Sequence, residues 1–198
     1  MMRGLLLVLA AALATLTPSP ALAEWELVEG GKPFAIGETS MRITPVSNWN
    51  RWKDNASDHS ENLSRDGIML NDLYIVAGMP SGDTLYGETD PDERPLPRLS
   101  ATLDLVEIPE FYESSTRLAL NTPVFAITST EPATMSGHPA IKFTFEYAFA
   151  DSPLKRRGVA MGTMVDGKLY LIAFDGPATY FFDRDRAEVE AIMASAAF

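Results

Sequence analysis

Residues 154–177 constrain the fold more than any other stretch. They read Leu-Lys-Arg-Arg-Gly-Val-Ala-Met-Gly-Thr-Met-Val, then Asp166-Gly167, then Lys-Leu-Tyr-Leu-Ile-Ala-Phe-Asp-Gly-Pro. Two strand-like runs flank a two-residue loop. A type I′ turn needs positive φ at both central residues, and Asp-Gly tolerates this. The stretch therefore predicts a β-hairpin, and with it an antiparallel sheet.

Other segments supply strands to pair with that hairpin. From Ala140 to Phe149 the chain alternates strictly, with Ile141, Phe143, Phe145, Tyr147 and Phe149 on one side. Period two with one aromatic face predicts a half-buried strand. Such a face is core by default, and it can also line an apolar pocket. Thr122–Thr130 reads as a strand, and Ser136-Gly137-His138-Pro139 as a turn that leaves His138 exposed. Gly67–Pro80 is apolar and β-branched enough for a buried strand, entered through an Arg65-Asp66-Gly67 turn. Asn71 and Asp72 interrupt it, either as a bulge or as polar groups turned toward a cleft. Residues 24–36 predict an edge strand followed by a turn at Glu29–Pro33.

Two helices are expected. Pro109 suits a first helical turn because its missing N–H would be unpaired there. Glu110 and Glu113 near that end and Arg117 near the other match the helix dipole. Asp183 is read as the N-cap of a final helix over 184–196, with Val189, Ile192 and Met193 on one face. Two stretches read as loops. Lys53–Asp66 is polar and is expected to be solvated. Gly87–Pro97 holds three prolines and no periodicity, and is a candidate flap over a site.

The N-terminus carries Arg3, an apolar run from Gly4 to Ala14, and Ala21-Leu22-Ala23. This is the pattern of a secretory signal, so cleavage after Ala23 is expected, leaving one domain over 24–198. The expected compartment is the periplasm or the exterior. The run is too short for a membrane helix, which takes about 20 residues, and no other stretch qualifies. The chain has no cysteine, which excludes disulfides, thiolate metal sites and a lipid-bearing cysteine. A net charge of −11 opposes nucleic acid and anionic lipid as partners.

No catalytic or cofactor motif stands out, so no cofactor and no metal is expected. No Gly-x-Ser-x-Gly surrounds a serine, and the two histidines, His59 and His138, lie far apart in sequence. Asp54, Asp58, His59 and Glu61 carry ligating atoms, but their spacing matches no known metal loop. Trp49 and Trp52 beside Arg51 either stack on a ligand ring, or one fills the core and the other caps the sheet edge. Arg156 and Arg157 are adjacent cations at the head of a strand in an acidic chain, and are candidates to meet an anionic group.

The run Arg156 to Phe174, the aromatic Tyr180-Phe181-Phe182 and the Glu188–Ser195 segment resemble a group of small exported proteobacterial proteins of unknown function. Their Arg-Asp-Gly…Leu-Asn-x-Leu segment is similar to Arg65-Asp66-Gly67…Leu70-Asn71-Asp72-Leu73. The element order also resembles the PsbP fold, shared with a nuclear-import factor. That resemblance implies an antiparallel sheet sandwiched by helices, and partner-binding or assembly rather than catalysis.

The expected class is thus α+β, a mainly antiparallel sheet with helices on both faces. Three functional expectations remain. The favoured one is a non-catalytic module docking an unidentified protein or envelope component. The second is a small-molecule binder with an aromatic cleft built from Trp49 or Trp52, Asn71 and Arg157. The third is an enzyme with a dispersed site. The second requires a pocket with a few convergent polar groups, and the third adds perturbed pKa values inside it.

Overall fold

The computed structural model describes residues 24–53, 58–88, 91–152 and 154–198. The expected signal segment lies outside them. Ten strands follow in chain order: β1 (Trp25–Val28), β2 (Phe34–Ala35), β3 (Arg42–Ile43), β4 (Trp49–Trp52), β5 (Ser60–Ser64), β6 (Asp72–Met79), β7 (Val124–Met135), β8 (His138–Ala148), β9 (Arg156–Val165) and β10 (Lys168–Pro177). Helix α1 (Ile108–Ala119) follows β6, and α2 (Phe181–Ser195) follows β10.

Eight strands form one sheet in the order β1-β4-β5-β6-β10-β9-β8-β7, while β2 and β3 pair separately. Every neighbouring pair is antiparallel. The Asp166-Gly167 turn closes β9 onto β10 with φ of 51° and 71°, the positive pair that a type I′ turn requires. β10 then pairs with β6, joining the C-terminal meander to the N-terminal strands.

Strand alternation gives the sheet two apolar faces, each with its own helix. Trp49, Leu63, Leu73, Ile75, Ile172 and Phe174 pack on one face against Val189, Ile192 and Met193 of α2. Tyr74, Val76, Phe143, Phe145, Tyr147 and Leu171 pack on the other against Ile108, Phe111 and Tyr112 of α1. The chain is therefore an α+β sandwich with a helix on each side of an antiparallel sheet.

The α1 face is only partly covered by its helix. Eight strands at about 4.8 Å spacing span roughly 34 Å. A helix of 12 residues is about 18 Å long. α1 lies toward the β7 side, with Tyr112 among the rings of Phe125, Phe143 and Phe145 at 5.1–6.2 Å. Over β4–β6 the cover is loop instead, from residues 80–88 and 91–99.

Three expectations are corrected. Lys53–Asp66 is not all loop, because Ser60–Ser64 forms the buried strand β5. Its polar side chains find partners: Glu61 takes Arg51 at 2.7 Å, Asn62 takes Asp72 at 2.7 Å, and Ser64 takes Asn71 at 2.7 Å. His138 opens β8 rather than sitting in an exposed turn, and its ring stacks on Phe198 at 5.8 Å. α2 starts at Phe181, with Tyr180 in the N-cap position. Asp183 lies in its first turn, where it accepts from Arg157.

Candidate functional site

Where the loop rather than the helix covers the sheet, a cavity of about 800 Å³ opens. Volumes of about 300–1,000 Å³ are typical of small-molecule sites. Its floor is Ser60 and Asn62 of β5, Asp72, Tyr74 and Val76 of β6, and Asp175 of β10. Strand alternation explains this set, since residues 60 and 62, and 72, 74 and 76, share one face. Tyr112 and Leu120 enter from α1 and its C-terminal end, and Leu85, Tyr86 and Glu88 from the covering loop. Trp52, His59 and Arg98 complete the lining named here.

The tyrosines form a rigid wall. Tyr74 and Tyr86 stack with centroids 5.5 Å apart and 15° between planes. The Tyr86 hydroxyl meets Thr116 Oγ1 of α1 at 3.0 Å, and the Tyr74 hydroxyl donates to the Leu85 carbonyl. Burial pushes the Tyr74 phenol up to about 12 and raises Tyr86 and Tyr112 as well. All three are neutral hydroxyls at physiological pH. At the loop, Glu88 accepts from Arg98 at 2.8 Å and from the Leu96 N–H at 3.1 Å. This pins the part of the Gly87–Pro97 segment that borders the cavity.

The polar end of the floor is a pair of carboxylates. The β6–β10 register sets Asp72 directly opposite Asp175. Asp175 is neutralised from behind: Arg156 donates to its Oδ2 at 2.6 Å and the Tyr147 hydroxyl at 2.8 Å. Arg156 also donates to the Met69 carbonyl at 2.5 Å. Asp72 has no ion pair among the described residues; the Asn62 amide donates to its Oδ1 at 2.7 Å. Burial, reinforced by the neighbouring Asp175 charge, pushes Asp72 up to about 7. Asn62 and Arg156 oppose that rise. Burial raises Asp175 too, against the pull of Arg156 and Tyr147.

The residues singled out in the sequence do not converge. Trp52 lines this cavity and stacks on Trp25 of the edge strand at 6.3 Å. Trp49, three residues earlier and so on the opposite face, is fully buried. Its indole N–H donates to Glu188 Oε1 at 3.0 Å, and Arg65 lies 4.7 Å over the ring. Asn71 is fully buried as well, accepting from Ser64 and from the Arg65 and Asp66 N–H groups and donating to Asp185 at 2.9 Å. Arg156 and Arg157 do not act as a pair of cations, because adjacent strand residues point to opposite faces. Arg156 is buried behind the cavity floor, while Arg157 pairs with Asp183 at 2.9 Å and covers the Phe182 ring.

Asp72 stands out in sequence as one of two polar residues in an apolar run, while Asp175, Asn62, Tyr74 and Tyr86 do not. The available signal was Asp175 at the end of Leu-Ile-Ala-Phe, a lone carboxylate in phase with the Leu171 and Ala173 face. The ligating side chains of residues 54–61 are not seen together. Asp54 lies outside the described residues, and Glu61 points to the α2 face with Arg51. No group of three ligating side chains occurs among the described residues.

No protein-family model and no curated protein sequence matches the chain. Among solved structures, it is similar to cyanobacterial PsbP from Synechocystis sp. PCC 6803, at 14% identity and TM-score 0.43, covering 88% of this chain and 81% of that one. It is also similar to LpqN of Mycobacterium tuberculosis, a protein involved in cell envelope biogenesis, at 10% identity and TM-score 0.36. That match covers 87% of this chain and 90% of the other. No helix among the described residues is long and apolar enough to cross a membrane.

Proposed function

We propose that this chain is an exported, non-catalytic binding module whose occupant is a small organic molecule held in the α1-face cavity. One observation carries the reading: a half-open cavity of about 800 Å³ lined by tyrosines and a polar floor. A cavity that combines apolar walls with a few fixed polar groups gives a ligand both affinity and orientation. Here the polar groups are fixed before any ligand arrives. Asn62 holds Asp72, Arg156 and Tyr147 hold Asp175, and Thr116 holds Tyr86. Little ordering remains to be done on binding, which favours affinity. Export is supported by Arg3, the apolar run to Ala14 and Ala21-Leu22-Ala23.

The test is native mass spectrometry of the mature protein, purified gently from periplasmic extract. The expected result is a discrete added mass of a few hundred daltons that dissociates on collisional heating. A bare mass, or a stoichiometric second polypeptide in place of a small ligand, would overturn the reading.

A further inference from the structure

The charges in the cavity are unevenly answered. Four carboxylates line it, from Asp72, Asp83, Glu88 and Asp175, against the single guanidinium of Arg98 and the imidazole of His59. Two of the four are answered by protein cations: Glu88 by Arg98 at 2.8 Å, and Asp175 by Arg156 at 2.6 Å. Asp83 is exposed at the loop, and Asp72 lies on the floor. Asp72 Oδ1 is taken by the Asn62 amide, while its other carboxylate oxygen has no protein donor among the described residues. A carboxylate so placed lacks a hydrogen-bond donor and a positive charge. Tyr74, Tyr86, Tyr112 and Trp52 line the same cavity. Aromatic faces attract cations through the ring quadrupole, most strongly where water is excluded.

We infer that the cavity selects an organic cation, an amine protonated at neutral pH on an aromatic or alkyl body, whose ammonium group donates to Asp72 while the body lies against the tyrosine wall. This rests on the cavity being a ligand site and names the class of ligand. An anion would bring a second negative charge beside Asp72, which has no ion pair of its own among the described residues. A neutral ligand would leave Asp72 without its missing charge. The raised pKa of Asp72 fits the same picture: burial disfavours its charge, and a neighbouring ammonium would favour it.

Three probes of similar size separate the possibilities by calorimetric titration of the mature protein at pH 7.5: 2-phenylethylammonium, 2-phenylethanol and 3-phenylpropionate. The ammonium is expected to bind at least tenfold more tightly than the other two. Asp72→Asn should erase that preference with the fold intact by circular dichroism. Asp183→Asn, on the α2 face, should leave it unchanged. Equal or tighter binding of the alcohol or the carboxylate would overturn the cation assignment while leaving the cavity as a ligand site. No binding of any probe at millimolar concentration would overturn both. Retention of the ammonium preference in Asp72→Asn would also reject the role given to Asp72.

Discussion

Asp72 places a titratable group on the floor of the cavity proposed to hold a ligand. Its pKa is raised from 3.8 in the free side chain to about 7 in the fold. The native state therefore holds a proton that the unfolded chain has lost, and stability falls as pH rises from about 4 through 7, then levels off. Asp72→Asn removes this penalty. In urea unfolding it should be more stable than wild type by about 1 kcal/mol or more at pH 7.5, with little gain at pH 4. A destabilised variant at pH 7.5 would contradict the burial of an unpaired carboxylate. Gly158 makes a second residue-scale test. A Cβ there would lie 2.1 Å from Phe145 Cζ, in the middle of the aromatic layer under α1. Gly158→Ala should cost about 1–3 kcal/mol in thermal or chemical unfolding, the range for forced overpacking.

At the scale of elements, α2 is held to the sheet by an ionic network rather than by packing alone. Asp185 is fully buried and accepts from Arg65 at 2.9 Å, Arg184 and Asn71. Glu188 accepts from the Trp49 indole and the Ser47 N–H, and pairs with Arg65. Burial alone would raise both carboxylates, but these donors outweigh it and both are lowered. Their stabilisation is present above the ordinary carboxylate range and is lost as pH falls through their depressed values. Asn71→Ala leaves Asp185 short of a donor, and the Ser64 hydroxyl and the Arg65 and Asp66 N–H groups short of an acceptor. It should cost about 2–3 kcal/mol and raise the pH midpoint of acid unfolding. An unchanged acid midpoint would show that the network does not hold α2.

Elements differ in how much of themselves they show in a linear chain. The β9–β10 hairpin was legible because its turn chemistry and both strands lie within 22 adjacent residues and agree with one another. β8 was legible because one face is aromatic and the other is polar. β5 was not, because Ser-Glu-Asn-Leu-Ser looks solvated until Arg51, Asp72 and Asn71 arrive from elsewhere to satisfy it. The candidate site was hidden for a related reason. Asp72 and Asp175 stand about a hundred residues apart and meet only through the β6–β10 register. Trp49, Trp52, Arg156 and Arg157 attracted notice as neighbours in sequence, yet in a strand neighbours at odd spacing face opposite sides.

For the molecule as a whole, the mismatch between an eight-stranded sheet and a three-turn helix decides where a ligand can go. On the α2 face, the helix, Ile43 of β3 and the buried Trp49 belong to one apolar cluster with the sheet. The α1 face is roofed partly by the Pro80–Leu99 loop, pinned through Glu88 and Arg98. Glu88→Gln should loosen that roof, raising the ligand off-rate several-fold in stopped-flow displacement with a small change in melting temperature.

The most direct measurement is an amide NMR titration of the mature protein with 2-phenylethylammonium. The account predicts shifts clustered at Trp52, Ser60, Asn62, Asp72, Tyr74 and Leu85–Glu88, with Arg65, Asp185 and Glu188 unmoved. Shifts centred on the α2 face, or none at saturating probe, would contradict the assignment of the α1-face cavity as the binding site.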